Sequence, residues 1–576
     1  MVPSGSISPS DSHYKDKNEK GAFAMLKTKL TSSLEKAFID DKIDTFPTID
    51  SISVVKSERF SVQLLYVDEG PDYSMPWRSL TELTLGGNLA SYATVRDVRN
   101  LPVDRPVNPD RYDEHYLRTT PGIYPDLLTP LRYGGKVVPG RDKLRSLWIE
   151  IEPPKELIGK CELVISLSFE EVKVTHTLSV DIMPADLPRG IDFTQWFYAD
   201  CLAGYYNVPA WSENHWEIVE NFARLYAKRG RNMIYTPLLT PALNVLPPFE
   251  RTPSQLVDIT LKDGKYTFGF DKVDRWVDMC DRLGIEYLEI SHFFDQHRAA
   301  HSAKVYADVD GSIKQIFTWD TLSDDPEYVR FLREMVSAFV QHMKKRGDDH
   351  RCWYHISDEP YLDYIDHYTK IKNSIADVVK GYPVMDALSD FDFYKTGSVP
   401  IPVPTTESVM QFVEAGVPNL WTYYACGQLV GYSNCYVAMP SWRTRSLGMQ
   451  LYKYNIRGFL HWGFNYYNNR ASGDAINPYL DLGGEDWVPA GDTFIVYPGN
   501  DGTPLESIRA ITMDEVMQDI RAMRLAESFT SHAEVVKAME SALGREITFD
   551  RCAESADEML RVRQAVNEII AKHITA

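Results

Sequence analysis

Cys352-Trp353-Tyr354-His355-Ile356-Ser357-Asp358-Glu359-Pro360 is a short apolar run that ends in two adjacent acids. It reads as a buried strand carrying a carboxylate pair to its C-terminal end, with Pro360 suited to open the next helix. Neighbouring carboxylates repel, so near neutral pH one tends to keep its proton while the other is ionised. A proton donor beside an anion is what hydrolysis of an acetal requires. The competing reading is structural: Asp358 caps the following helix and Glu359 lies in its first turn. A regular strand points neighbours to opposite faces, so both acids reach one site only where the strand loosens, which Pro360 favours.

On either side of this run, short apolar strands alternate with amphipathic helices, the pattern of a parallel α/β unit. Across residues 189–504 the strands are expected at 196–200, 233–236, 287–291, 353–357, 384–388, 399–401, 420–424 and 458–462. Eight such strands point to a (β/α)8 barrel, the sixth being the weakest. One intervening helix is well marked. Leu332, Met335, Val336, Phe339, Val340 and Met343 form a stripe, Asp325 suits its N-cap, Pro326 its first turn and Gly347 its end.

Farther out, residues 21–188 alternate in period two between Gly, Pro and Asp turns, as in Ser61-Val62-Gln63-Leu64-Leu65-Tyr66 and Leu147-Trp148-Ile149-Glu150-Ile151. That pattern predicts an antiparallel β-sandwich, closed by Met183-Pro184-Ala185-Asp186-Leu187-Pro188 as a linker. Residues 1–20 read as a disordered tail. Residues 505–576 read as a helical packing segment with Leu560, Val566, Ile569 and Ile570 on its buried face.

In a barrel, chemistry gathers at strand C-termini. After the third strand comes His292-Phe293-Phe294-Asp295-Gln296-His297, open to reading as a substrate-binding loop, as loose metal ligands or as packing. The seventh strand supplies Trp421, Tyr423 and Tyr424; the eighth supplies His461, Trp462 and Asn465, followed by Tyr466 and Tyr467. Walls of Trp and Tyr with a few His and Asn donors suit a sugar, whose apolar faces stack and whose hydroxyls need hydrogen bonds. Each ring taken singly is equally consistent with core packing.

The formal net charge of −20 argues against nucleic acid and anionic membranes as partners, and no apolar run approaches the length of a bilayer span. There is no Gly-rich phosphate loop, no GxSxG elbow and no HExxH, which weakens nucleotide, serine-hydrolase and zincin readings. Neither cofactor nor metal is expected. The seven cysteines are scattered, odd in number and lack a CxxC, and the N-terminus lacks an apolar h-region. Together these lead to the expectation of a cytoplasmic protein.

The order sandwich, strand ending in Asp358-Glu359-Pro360, then Trp421-Thr422-Tyr423-Tyr424-Ala425-Cys426, resembles glycoside hydrolase family 123, made of β-N-acetylgalactosaminidases and their relatives. The likeness continues in Arg445, Tyr452-Lys453-Tyr454, Gly458-Phe459-Leu460-His461-Trp462, Val496-Tyr497-Pro498-Gly499 and Glu506-Ser507-Ile508-Arg509. The resemblance implies retaining exo-hydrolysis of N-acetylgalactosaminides from oligosaccharides or glycolipid glycans, with the substrate's own acetamide as nucleophile. It gives Glu359 the acid/base role and Asp358 the task of orienting the acetamide N–H. Tyr423 or Tyr424 would hold the acetamide oxygen. With these, His292, Asp295, His355, Trp421, Arg445, Trp462 and Asn465 make up the expected binding set. The alternatives are an N-acetylglucosaminidase or other β-glycosidase on the same barrel, or a sugar-binding protein without catalysis. The chain departs from the family at Met449, where relatives often carry Trp, and in Ala510-Ile511-Thr512-Met513-Asp514-Glu515. The first departure is expected to reshape the cleft, the second only helix packing.

Overall fold

Period-two alternation in the first third of the chain becomes two five-stranded sheets packed face to face. The computed structural model describes residues 26–69, 80–169 and 172–574; the tail expected at 1–20 lies outside them. One sheet runs Leu26–Ser32, Phe60–Asp68, Arg145–Ile151, Ala93–Val103, Gly122–Pro130. The other runs Ser51–Lys56, Val172–Asp186, Gly159–Phe169, Thr81–Gly86, Lys136–Val137. Alternate residues Leu147, Ile149 and Ile151 meet Leu163, Ile165, Leu178 and Val180 in a common core. Burying each such side chain is worth about 1.5–3 kcal/mol, which is what holds two sheets together.

Two expectations need correction here. The sandwich is not wholly antiparallel, because Ser51–Lys56 pairs parallel with the strand at Val172–Asp186. That long strand also runs through most of the stretch read as a linker. Its register shifts between Met183 and Asp186, and a bulge of this kind is where a sheet tolerates a proline such as Pro184.

The α/β part contains eight strands, seven of them overlapping those expected: β1 (Asp192–Gln195), β2 (Met233–Thr236), β3 (Tyr287–Ile290), β4 (Cys352–Tyr354), β5 (Met385–Ala387), β6 (Ile401–Val403), β7 (Trp421–Tyr424) and β8 (Gly458–His461). Six of them form one parallel sheet in the order β4-β3-β2-β1-β8-β7. β5 and β6 pair with each other and touch the six-stranded sheet through single parallel bridges, Tyr354 to Val384 and Thr405 to Tyr423. The fold is therefore mixed α/β, with a continuous ladder over six strands and a two-stranded seam beside it. β1 lies ahead of its expected place: Trp196-Phe197-Tyr198 has strand propensity but forms the turn leading into the helix Ala199–Tyr206.

The helix Pro326–Arg346 forms as its sequence predicts. The Asp325 carboxylate accepts from the Glu327 and Tyr328 amides, and Gly347 ends it at φ 82°, a left-handed value that glycine adopts at little cost. In the C-terminal segment the helix Ile508–Phe529 is buried along nearly its whole length, between the sandwich and the parallel sheet. Its Arg509 pairs with Asp126 of the sandwich, its Asp514 with Arg59 and Arg229, and its Glu515 with Ser33 and Arg445. Among the described residues no helix is long and apolar enough to cross a membrane.

Candidate active site

β4 is only three residues long, and the chain beyond it stays extended because its neighbours pin it. The Ile356 amide donates to Asp386 Oδ1 at 2.9 Å, and Ser357 Oγ donates to the Asp295 carbonyl at 2.7 Å. Glu359 then turns at φ 47°, a left-handed conformation that costs a non-glycine residue roughly 1–3 kcal/mol, and its amide donates to the Ala387 carbonyl at 3.1 Å. This turn brings two adjacent side chains to one side, where a regular strand would part them. The helix expected to open at Pro360 starts instead at Ile365, after a short turn at Leu362–Tyr364. Asp358 caps nothing and Glu359 is outside any first helical turn, so the structural reading of the pair is overturned.

Both acids line an inner cavity of about 190 Å³, together with Trp196, Asn244, Gln296, His297, Tyr423, Cys426, Trp462, Arg470, Trp487 and Asp492. At ~30 Å³ per water that is room for roughly six waters, the space of one sugar ring rather than a chain. A second, more open cleft of about 490 Å³ adjoins it, bordered by Tyr361, Ser389, Asp390, Thr405 and Glu407. His297, Glu359, Tyr423 and Cys426 border both, so Glu359 stands at the junction.

The two acids differ in their surroundings. Asp358 is 4% exposed, accepts from Gln296 Nε2 at 2.7 Å, and has its carbonyl bound by the His297 amide at 2.7 Å. Burial pushes its pKa well above the ordinary carboxylate value, and the charges of Glu359 and Asp386 push the same way against that of His355. The Glu359 side chain is 36% exposed; its Oε1 accepts from the Tyr423 hydroxyl and its Oε2 lies 3.8 Å from His297 Nδ1. The surroundings of Asp358 therefore favour its neutral form, while Tyr423 offers Glu359 a hydroxyl donor.

Beneath the pair lies a buried charged cluster. His355 bonds Glu289 Oε1 at 2.8 Å through Nε2 and Asp386 Oδ1 at 3.3 Å through Nδ1, and Tyr368 donates to the other Asp386 oxygen. Burial would lower the His355 pKa, but its bonds to Asp386 and Glu289 win and raise it to about 9. The ring is an imidazolium clamped between two acids. His292 stacks on it at 4.2 Å, bonds Tyr235 through Nδ1 and is kept neutral by burial and by the His355 charge.

The expected binding residues part company in space. Trp462 and Tyr423 line the cavity. His355 and His292 are fully buried below it, and Trp421 is fully buried against Trp353. Tyr424 donates to Met513 Sδ, and Asn465 binds the Tyr198 backbone. Asp295 pairs with His301, and Arg445 with Glu515 and Asp519 of the C-terminal helix. None of these borders the cavity. His292, Asp295 and His297 do not converge as metal ligands. A different group, His292, His355 and Asp386, has ligand-type atoms within 4.8 Å, yet both His355 nitrogens are already engaged by acids. Met449, expected to shape the cleft, is instead buried with Tyr452, Met523 and Val535.

Gln296, Asn244, Arg470, Trp487 and Asp492 were absent from the expected set. Gln296 and His297 adjoin Asp295 in the quoted loop and were within reach of the sequence. Asn244, Arg470, Trp487 and Asp492 sit in long loops after β2 and β8 whose folding carries no short-range signal.

Residues 196–526 match the family described as glycoside hydrolase 123, catalytic domain. Among solved structures, a family 123 glycoside hydrolase from Clostridium perfringens, studied for glycolipid glycan hydrolysis, is similar at TM-score 0.70 and 12% identity. That match covers 96% of this chain and 99% of that one. β-Glucuronidase 3 of Bacteroides uniformis aligns at TM-score 0.30 and 11% identity, covering 86% of this chain and 52% of that one. No curated protein matches the sequence.

Proposed function

The chain belongs to glycoside hydrolase family 123 and is a glycoside hydrolase; from that premise we propose that it is a retaining exo-β-N-acetylgalactosaminidase acting by substrate assistance. The observation that carries this reading is the shared inner cavity of Asp358 and Glu359, with Tyr423 bonded to Glu359 at its mouth. Adjacent acids are poorly placed to flank a sugar ring from both faces, as an acid and an enzyme nucleophile must. They suit an acid beside a group that steers the substrate's own acetamide.

In the proposed course, the terminal N-acetylgalactosamine enters the inner cavity and its leaving group lies in the outer cleft. The acetamide N–H donates to Asp358, which favours the Asp358 anion, while Tyr423 leaves Glu359 to hold the acetamide oxygen. Both changes move the shared proton to Glu359. The acetamide oxygen then attacks the anomeric carbon, the C–O bond to the leaving group breaks, and Glu359 gives that oxygen its proton. The resulting oxazolinium is opened by a water that Glu359 deprotonates, which restores the starting state with net retention.

The strand order supports reading the eight strands as a (β/α)8 barrel with its weak seam at β5–β6 and its site at the strand C-termini. The neighbour's activity on glycolipid glycans makes such a glycan, or a smaller oligosaccharide cut from one, the proposed substrate. All seven cysteines are free, which supports action in a reducing compartment such as the cytoplasm. The test is proton NMR of 4-nitrophenyl β-N-acetylgalactosaminide hydrolysis, run beside the β-N-acetylglucosaminide and β-galactoside, with a galactosamine-derived thiazoline as inhibitor. Retention and tight thiazoline inhibition are expected. Inversion, or faster cleavage of the substrate lacking the acetamide, would sink the mechanism.

A further inference from the structure

We infer that Arg470 and Asp492 are the specificity-determining pair of the inner cavity, gripping neighbouring ring hydroxyls of the bound sugar. This rests on reading that cavity as the sugar site. Asp492 is fully buried, and its Oδ2 accepts from Trp462 Nε1 at 2.9 Å. Its Oδ1 is buried without a hydrogen bond, with His461 Nε2 standing 3.6 Å away. Arg470 lies with its guanidinium carbon 4.8 Å from the centre of the Trp487 ring. Its Nε is buried without a partner, and among the described residues the Arg470 guanidinium forms no ion pair.

Three fully buried arginines are held by carboxylates, Arg251 by Asp200, Arg229 by Glu150 and Glu506, and Arg509 by Asp126, while the equally buried Arg231 binds the Gln195 amide oxygen. A buried polar atom without a partner is costly, so two on one cavity wall are best explained by a ligand that satisfies them. Asp492 Oδ1 only accepts and Arg470 Nε only donates. A hydroxyl can give its proton to the first, and a hydroxyl oxygen can accept from the second, so adjacent hydroxyls of a neutral sugar meet both needs. An anionic substituent would satisfy Arg470 alone and would enter a cavity already lined by Asp358, Glu359 and Asp492. The Trp462 and Trp487 rings, 5.3 Å apart, hold the two side chains and offer the sugar an apolar face.

The experiment is calorimetric titration of N-acetylgalactosamine and its 3-, 4- and 6-deoxy analogues into the wild type, Arg470→Met and Asp492→Asn, each checked for folding by thermal unfolding. N-acetylglucosamine, galactose and glucose are titrated alongside. In the wild type, loss of the gripped hydroxyl should weaken binding at least tenfold. In Arg470→Met, a partly exposed position where folding is expected to survive, that penalty should shrink to nearly onefold while the other deoxy penalties persist. Equal weakening of every analogue by both folded variants, or no hexose bound with a dependence on Arg470, would overturn the pair. If a hexose other than N-acetylgalactosamine shows the Arg470-dependent penalty, the pair stands and the proposed sugar falls.

Discussion

Glu359 occupies a backbone conformation that few side chains adopt readily, and its carboxylate is bonded by Tyr423 and approached by His297. Glu359→Gln keeps the shape and the left-handed turn while removing the titrating proton. It should lower kcat/KM on alkyl glycosides by roughly 10²–10⁴-fold and spare kcat/KM on substrates with activated aryl leaving groups, whose kcat still falls because no base activates the water, with the thermal midpoint unchanged. Equal loss on both leaving groups would contradict its role as general acid. The pH dependence stems from Asp358. Because burial and Glu359 raise its pKa, the pair keeps one proton at a pH where separate carboxylates would have lost theirs. Activity should therefore peak on the acidic side of neutral, falling at low pH as both acids protonate and at high pH as the last proton leaves. In Asp358→Asn the carboxyl with the raised pKa is gone, so the basic limb of the residual rate should move to lower pH. A limb that stays in place would show that the two acids do not share a proton. The pair itself was legible in the sequence because two adjacent acids after an apolar run are conspicuous. That the strand loosens there was suggested by Pro360, but the left-handed φ at Glu359 that turns both acids into one cavity was not legible.

At the scale of elements, the C-terminal ends of β3, β4 and β5 are tied together by charge. Glu289 closes on His355 from one side and Asp386 from the other. His355 reaches about 9 in the fold against its ordinary value of 6.5. Its contribution to stability is thus fully present below about pH 6.5 and is lost as pH rises toward 9, a change of about 3 kcal/mol. Burial raises the Asp386 pKa as well, and stability linked to that group is likewise lost as pH rises. The urea midpoint of the wild type should fall between pH 6.5 and 9. His355→Gln should be less stable at pH 6.5 by roughly 3–5 kcal/mol, with that fall largely removed. An unchanged slope in the variant would exclude the clamp. The strand pattern foretold that His355 lies in a buried run. Which acids flank it was hidden, since β3 and β5 come from distant parts of the sequence and only the sheet makes them neighbours.

At the scale of the molecule, three regions meet at Arg229. Its guanidinium binds Glu150 of the sandwich and Glu506 and Asp514 of the C-terminal segment, while Arg96 joins the same two glutamates. Burial pushes Glu506 up, but Arg229 and Arg96 hold its carboxyl down at about 2. A depressed carboxyl gives stability above its unfolded value near 4.3 and loses it as pH falls toward 2, so acid should loosen this junction first. Arg229→Met leaves buried carboxylates uncompensated and should cost about 3–5 kcal/mol at neutral pH. Calorimetry of the wild type should show one cooperative transition, with the variant melting lower or in two steps. Two resolved transitions in the wild type would refute the coupling. The helix Ile508–Phe529, expected as a packing addition, is the common wall of this junction, which its sequence conceals because its buried side chains include Arg509, Asp514, Glu515 and Asp519, paired only across the fold.

What the sequence determined alone is local and periodic: seven of the eight short apolar strands, the period-two sandwich, the caps of Pro326–Arg346 and the acid pair. These arise from side-chain alternation, turn residues and capping chemistry within a few positions of one another. The tertiary structure decided which side chains reach the cavity. It kept Tyr423 and turned Tyr424 toward Met513, buried His292 and His355 beneath the floor, sent Arg445 to the C-terminal helix, and brought Arg470, Trp487 and Asp492 in from long loops. The physical reason is that facing is set by strand register and loop path, which depend on contacts between residues hundreds of positions apart, and no local rule encodes them.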